Sequence, residues 1–158
     1  MPELPEVETV ARGLRASLVG LTINDVTVNW ARSIALPSPD VFAASLPGER
    51  VLQVERRGKY VVMHLDHGKL LIHLRMTGRL LVVTPEEPVE GRHLRVVIHL
   101  DGKLLLFYDA RKFGRMYLSQ ETDQLLGRLG PEPLTSDFVP VRLAERLRGR
   151  RAIKSALL

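Results

Sequence analysis

The segment with the clearest capacity for chemistry is the start of the chain, where Pro2 is followed by two carboxylates, Glu3 and Glu6. If the initiator Met1 is removed, Pro2 presents a secondary amine. A terminal amine with a reference pKa of about 7.7–8.0 keeps an appreciable unprotonated fraction near neutrality, whereas a lysine at about 10.4 does not. A secondary amine that attacks the C1′ carbon of a deoxyribose forms an iminium that cannot discharge by losing a proton from nitrogen. That iminium acts as an electron sink, so a nearby carboxylate can move sugar protons and the 3′ and then the 5′ phosphate can depart. On spacing alone, Pro2, Glu3, Pro5 and Glu6 also read as ordinary helix-entry residues.

The elements that must position these groups follow from periodicity. Val7, Val10, Ala11, Leu14 and Leu18 recur at helical spacing within residues 6–18, with Pro5 suited to a first turn, Glu6 and Glu8 to the positive end of the dipole, and Gly20 to the far end. From Leu21 the period becomes two, through Ile23, Val26 and Val28, then Val51 and Val54, then a dense series from Tyr60 to Val83. Turn signals fall at Gly58, Asp66-His67-Gly68, Thr77-Gly78, Pro85 to Gly91 and Asp101-Gly102, the last predicting a hairpin between residues 94–100 and 103–108. The fold class expected is α+β, mostly β: an antiparallel sandwich of about eight short strands with an N-terminal helix. Leu129-Gly130-Pro131-Glu132-Pro133 marks a linker, so residues 1–130 are expected to form one domain and residues 131–158 a basic helical segment that begins another.

Composition narrows the functions available. Lysine and arginine outnumber aspartate and glutamate by 23 to 18, a formal charge of +5 that favours a polyanionic partner. The absence of cysteine excludes disulfides, thiol catalysis and cysteine-based zinc sites within these 158 residues. His64, His67, His73, His93 and His99 show no paired metal-ligand spacing, so no metal is expected here. No apolar run approaches membrane-spanning length and the N-terminus is acidic where a signal peptide would be basic, which predicts an intracellular chain without membrane association.

Four segments carry a family resemblance. Met1-Pro2-Glu3-Leu4-Pro5-Glu6-Val7-Glu8-Thr9 resembles, without a break, the opening of formamidopyrimidine-DNA glycosylases, and Leu4 favours them over the related endonuclease VIII enzymes, which usually have glycine there. Arg56-Arg57-Gly58-Lys59-Tyr60 and Ile72-His73-Leu74-Arg75-Met76-Thr77-Gly78 are similar to two further family segments, as is Asp109-Ala110-Arg111-Lys112-Phe113-Gly114. The resemblance implies that Pro2 displaces the damaged base, Glu3 handles protons at the sugar, Glu6 supports the same site, and Lys59 and His73 contact phosphate. It also implies that Met76 fills the gap left by an extruded base, with Arg111 and Phe113 as its partners. Alternation would put Arg111 and Phe113 on one side of an extended segment. Extracting a base costs a few kcal/mol, which apolar wedges partly offset, and a guanidinium can hydrogen-bond the orphaned base.

In bland terms, Lys59 is a solvated turn lysine, His73 a satisfied core histidine, Met76 and Phe113 core residues and Arg111 a surface charge. Two departures stand out: the family commonly has glycine at Arg75, and proline then arginine at Ala110 and Lys112. The implied substrates are duplex DNA bearing 8-oxoguanine, formamidopyrimidines or abasic sites, handled by a monomer in the bacterial cytoplasm.

Family members continue for roughly another hundred residues, with a helix–two-turn–helix module and a four-cysteine zinc finger. The zinc is therefore expected outside this chain, whose own cofactor requirement is none. A damaged-DNA-binding module with little catalysis is the alternative expectation, and a proline-based tautomerase is disfavoured by the basic excess and the paired wedge segments.

Overall fold

Pro5 lies in the first turn of helix α1, Leu4–Leu18, and its fixed φ suits a position where no backbone donor is needed. In this computed structural model, which describes residues 3–119, α1 buries Val7, Ala11, Leu14 and Leu18, the stripe expected from their spacing. Gly20 closes the helix at φ +92 and donates to the Val51 carbonyl at 2.8 Å. Pro2 and the expected linker and basic segment of residues 131–158 lie outside the described residues.

Nine strands occur among the described residues: β1 Ile23–Val28, β2 Ile34–Leu36, β3 Val51–Arg57, β4 Tyr60–Leu65, β5 Gly68–His73, β6 Gly78–Val83, β7 Leu94–Leu100, β8 Lys103–Asp109 and β9 Arg115–Ser119. They form two sheets, one ordered β1-β7-β8-β6 and the other β2-β9-β5-β4-β3. The inner faces share one core with α1: Val96, Ile98, Leu105 and Phe107 from the first sheet meet Val54, Val61, Met63, Leu70 and Ile72 from the second. In β7 the alternation is complete, since Leu94, Val96, Ile98 and Leu100 are buried while Arg95, Val97 and His99 are half-buried. The β7–β8 hairpin turns at Asp101-Gly102 with Leu100 opposite Lys103, and Gly102 has φ +70.

One pairing departs from the antiparallel expectation. The three-residue β2 runs parallel to β9, and a second short helix, α2 Pro39–Ser45, follows it and buries Phe42. Its N-cap Ser38 accepts from the Val41 amide at 3.2 Å.

Register fixes which residues share a rim. Tyr60 stands opposite His73, His73 opposite Arg115, and in the other sheet Gly78 stands opposite Asp109. The start of β4, the end of β5, both ends of the β8–β9 connection and the start of β6 therefore gather at one end of the sandwich.

Candidate active site and nucleic-acid interface

Glu3 caps α1 in extended conformation, and its backbone amide donates to the Glu6 carboxylate at 3.0 Å. Glu6 thus fixes the backbone of the residue bonded to Pro2. The Lys59 ammonium comes within 3.8 Å of the Glu3 carboxylate from the β3–β4 hairpin tip, where Gly58 has φ +58. Both groups are partly exposed, so the pair is worth no more than about 1 kcal/mol and its significance is positional. A buried guanidinium holds that geometry: Arg56 donates to Glu8 of α1 at 3.0 Å and to the Gly58 carbonyl at 3.1 Å. Sequence reasoning quoted Arg56 within its motif and gave it no role, because a bond between helix and hairpin has no local spacing signal.

His73 lies on the face of β5 turned away from Leu70 and Ile72, 8% exposed, with its ring edge-on to Tyr60 at 4.7 Å. Its Nδ1 accepts from the Arg75 amide at 3.1 Å, which places the proton of the neutral ring on Nε2. Burial, then the charges of Arg75 and Lys59, push its pKa down from 6.5 to about 4. His73 is accordingly a neutral donor in an electropositive corner. Because the folded pKa lies below the unfolded one, the unfolded chain binds the proton first; the contribution to stability is full above about pH 6.5 and is lost as pH falls toward 4. Urea unfolding is expected to show this as a stability loss on the order of 2 kcal/mol between pH 7 and 4.5 that His73→Gln removes. An unchanged pH slope in that variant would contradict the buried neutral ring.

Beyond His73 the chain turns through Leu74 to Thr77 and returns as β6. Arg75 takes φ +57, the left-handed region in which a side chain costs about 1–2 kcal/mol and glycine little. The departure from glycine at this position therefore leaves the turn in a conformation that glycine would favour. In thermal melts Arg75→Gly is expected to be neutral to about 1 kcal/mol stabilising, and Arg75→Val to lose about 1–2 kcal/mol. Equal melting of the two variants would contradict the strained turn.

Met76 projects from this turn 45% exposed, and Phe113 stands 47% exposed on the β8–β9 connection. With Arg75 and Arg115 they line an open cavity of about 360 Å³. Neither residue is core, as the bland reading would have it. Two exposed apolar side chains set among guanidinium groups make a surface suited to stacked, negatively charged polymer.

Arg111 and Phe113 do come together, with the guanidinium 5.1 Å from the ring centroid, but not on an extended segment. The strand ends at Asp109, Ala110 and Arg111 form a turn, and Lys112 has φ +63. The cause is Asp109, whose inward carboxylate captures the Gly114 amide at 2.6 Å and bends the chain back. Lys112 sits 4.0 Å over the Trp30 ring, a contact worth about 0.5–1 kcal/mol that helps hold the turn despite the departures at 110 and 112.

The four-cysteine zinc site implied by the resemblance does not fit this chain, which has no cysteine, and among the described residues no group of three His, Asp or Glu could hold a metal. No helix among them is long and apolar enough to cross a membrane.

Comparison with known proteins places this geometry among relatives. The family model for the formamidopyrimidine-DNA glycosylase N-terminal domain matches residues 1–116. Formamidopyrimidine-DNA glycosylase of Chloroflexus aurantiacus is 49% identical over 163 residues, covering 100% of this chain and 58% of that protein. The same-named protein of Bacillus subtilis is 43% identical, covering 100% and 59%. The Lactococcus lactis enzyme in complex with abasic-site DNA superposes with a TM-score of 0.86 at 32% identity, over 99% of this chain and 60% of that one. A structure of MutM with carbocyclic 8-oxo-G containing DNA gives 0.82 at 33% identity, over 93% and 57%. The chain thus spans somewhat more than half the length of the proteins it resembles.

Proposed function

The chain belongs to the formamidopyrimidine-DNA glycosylase family, and on that premise we propose that it excises oxidised purines from duplex DNA and cleaves the resulting abasic site as a lyase. The observation that carries this reading is the meeting, at one rim, of Glu3, bonded to Pro2, with the Lys59 ammonium, next to a cleft lined by Met76 and Phe113.

In the proposed reaction the Pro2 amine forms a bond to C1′ and the base departs with the electrons of its glycosidic bond, taking up a proton. The sugar ring opens to an iminium. Glu3 removes a C2′ proton, the 3′ phosphate leaves, a second elimination releases the 5′ phosphate, and water frees the amine. Glu6, already engaged by the Glu3 amide, acts as a positioning group. Lys59 and neutral His73 would hold phosphates of the lesion strand while Met76 and Phe113 occupy the vacated stack and Arg111 meets the orphaned base. The neighbouring structures in complex with abasic-site and carbocyclic 8-oxo-G containing DNA support this substrate class. The bacterial sources of the relatives support action in the cytoplasm, on the nucleoid.

Borohydride reduction in the presence of abasic duplex DNA tests the proposal: a covalent adduct at the N-terminal residue is expected. Lys59→Ala should weaken binding and lower the slope of log K against log salt by about 0.9, the value for one phosphate contact. No adduct from chain whose Met1 is verified by mass to be absent would reduce the function to damaged-DNA binding.

A further inference from the structure

The two turns that present Met76 and Phe113 are far apart in sequence, yet they share an anchor that neither wedge residue touches. Asp109 is 1% exposed at the end of β8. One of its carboxylate oxygens accepts from the Thr77 hydroxyl, a side chain 32 residues away, and the other accepts from the Gly114 amide at 2.6 Å. With its proton committed to Asp109, the Thr77 oxygen accepts from the Arg111 amide at 3.1 Å. One hydroxyl and one carboxylate therefore bind the neighbour of Met76, the backbone of Arg111 and the neighbour of Phe113. The strand end carrying the carboxylate is itself fixed, since Arg95 donates to the Asp109 carbonyl at 2.8 Å and the Asp109 amide donates to the His93 carbonyl at 2.9 Å. Gly114 is packed so closely that a Cβ there would stand 2.5 Å from the Phe107 ring and 3.0 Å from the Asp109 carboxylate.

We propose that Thr77 and Asp109 are positioning residues that couple the two turns, so that Met76, Arg111 and Phe113 enter the duplex as one preorganised body. This inference rests on the wedge reading of those three residues. Separate loops would each have to be ordered when a base is displaced, at an entropic cost subtracted from binding; turns joined through a buried charge-assisted network are ordered when the chain folds. Separation of the two turns would leave the Arg111 amide and one oxygen of the buried Asp109 carboxylate without the Thr77 hydroxyl that partners both, which keeps the turns together in the absence of DNA. Thr77 therefore does more than close its own turn.

The test uses Thr77→Val, which keeps the side-chain shape and deletes the hydroxyl, with Thr77→Ser as the variant that restores it and Met76→Ala as the reference for the wedge. Duplex DNA with a tetrahydrofuran abasic analogue opposite 2-aminopurine reports unstacking as a fluorescence rise at saturating protein. A single-stranded abasic oligonucleotide, which offers no stack to enter, reports the amine chemistry through borohydride trapping. Thr77→Val is expected to reduce the fluorescence rise at least fivefold, with trapping on the single strand within twofold of native; Thr77→Ser should match native in both. A native fluorescence rise in Thr77→Val, with the rise lost in Met76→Ala, would overturn the coupling and leave the wedge reading standing. A native rise in Met76→Ala would overturn the wedge reading and the proposal with it. Equal losses in unstacking and single-strand trapping for Thr77→Val would assign Thr77 to overall folding and also overturn the proposal.

Discussion

Inserting a leucine between Met1 and Pro2 is expected to abolish the borohydride adduct, lowering its yield on the order of 10³-fold or more, as loss of a covalent nucleophile does. The insertion converts the Pro2 nitrogen into an amide, whose lone pair is delocalised into the carbonyl and cannot attack C1′. Little else should change, because α1 takes its cap from Glu3 and its buried stripe starts at Val7. Pro2→Gly makes the finer test. It retains a terminal amine of similar pKa but a primary one, so its imine can shed the proton that a proline iminium lacks, and trapping should fall without vanishing, by about 10²-fold. Native yield in the leucine-insertion chain would assign the chemistry to another amine, and Lys59, 3.8 Å from the Glu3 carboxylate, would be the one to examine.

The second large effect is expected at Gly78. A Cβ at this position would lie 2.3 Å from the Leu74 carbonyl oxygen, 2.8 Å from its Cα and 2.9 Å from its carbonyl carbon, all backbone atoms that no rotamer change can move aside. The same carbonyl accepts the Gly78 amide at 2.8 Å, so the contact that closes the Met76 turn is the contact an alanine would break. Gly78→Ala should cost about 3 kcal/mol in urea unfolding, the upper range of overpacking effects. Gly91, with nothing within 4 Å of its would-be Cβ, supplies the control, and Gly91→Ala should stay within about 0.5 kcal/mol of native. Gly78→Ala as stable as that control would mean that the turn is not closed in the way described.

What the sequence disclosed and what it withheld divides along the range of the interactions. The stripe of α1 and the alternation of β7 are local patterns, set by burial of one face, and both were legible. The parallel pairing of β2 was not, since three residues carry no period. The helix α2 had a readable start in Ser38-Pro39-Asp40, a capping residue, a proline in the first turn and an acid beside it, but too short a run to suggest a helix.

The site residues were found by likeness to a family rather than by periodicity, and the structure gathers Glu3, Glu6, Lys59, His73, Met76, Arg111 and Phe113 at one rim. Alternation predicts an extended connection from Asp109 to Gly114, but its bend depends on a side chain reaching five residues ahead, while Thr77 reaches across to another strand. Neither leaves a mark in spacing.

The level ladder Tyr60, His73, Arg115 also sets where this molecule can be altered. Adding or deleting a single residue within β5 would swap inward and outward side chains along the strand and send His73 into the core, and the same change within β4 or β9 would do so to Tyr60 or Arg115. At the opposite pole, Asp66-His67 and Asp101-Gly102 are two-residue reversals whose length does not propagate into that row. A fluorophore, a linker or a grafted peptide belongs there, at the pole where the chain can be lengthened without turning a single strand over.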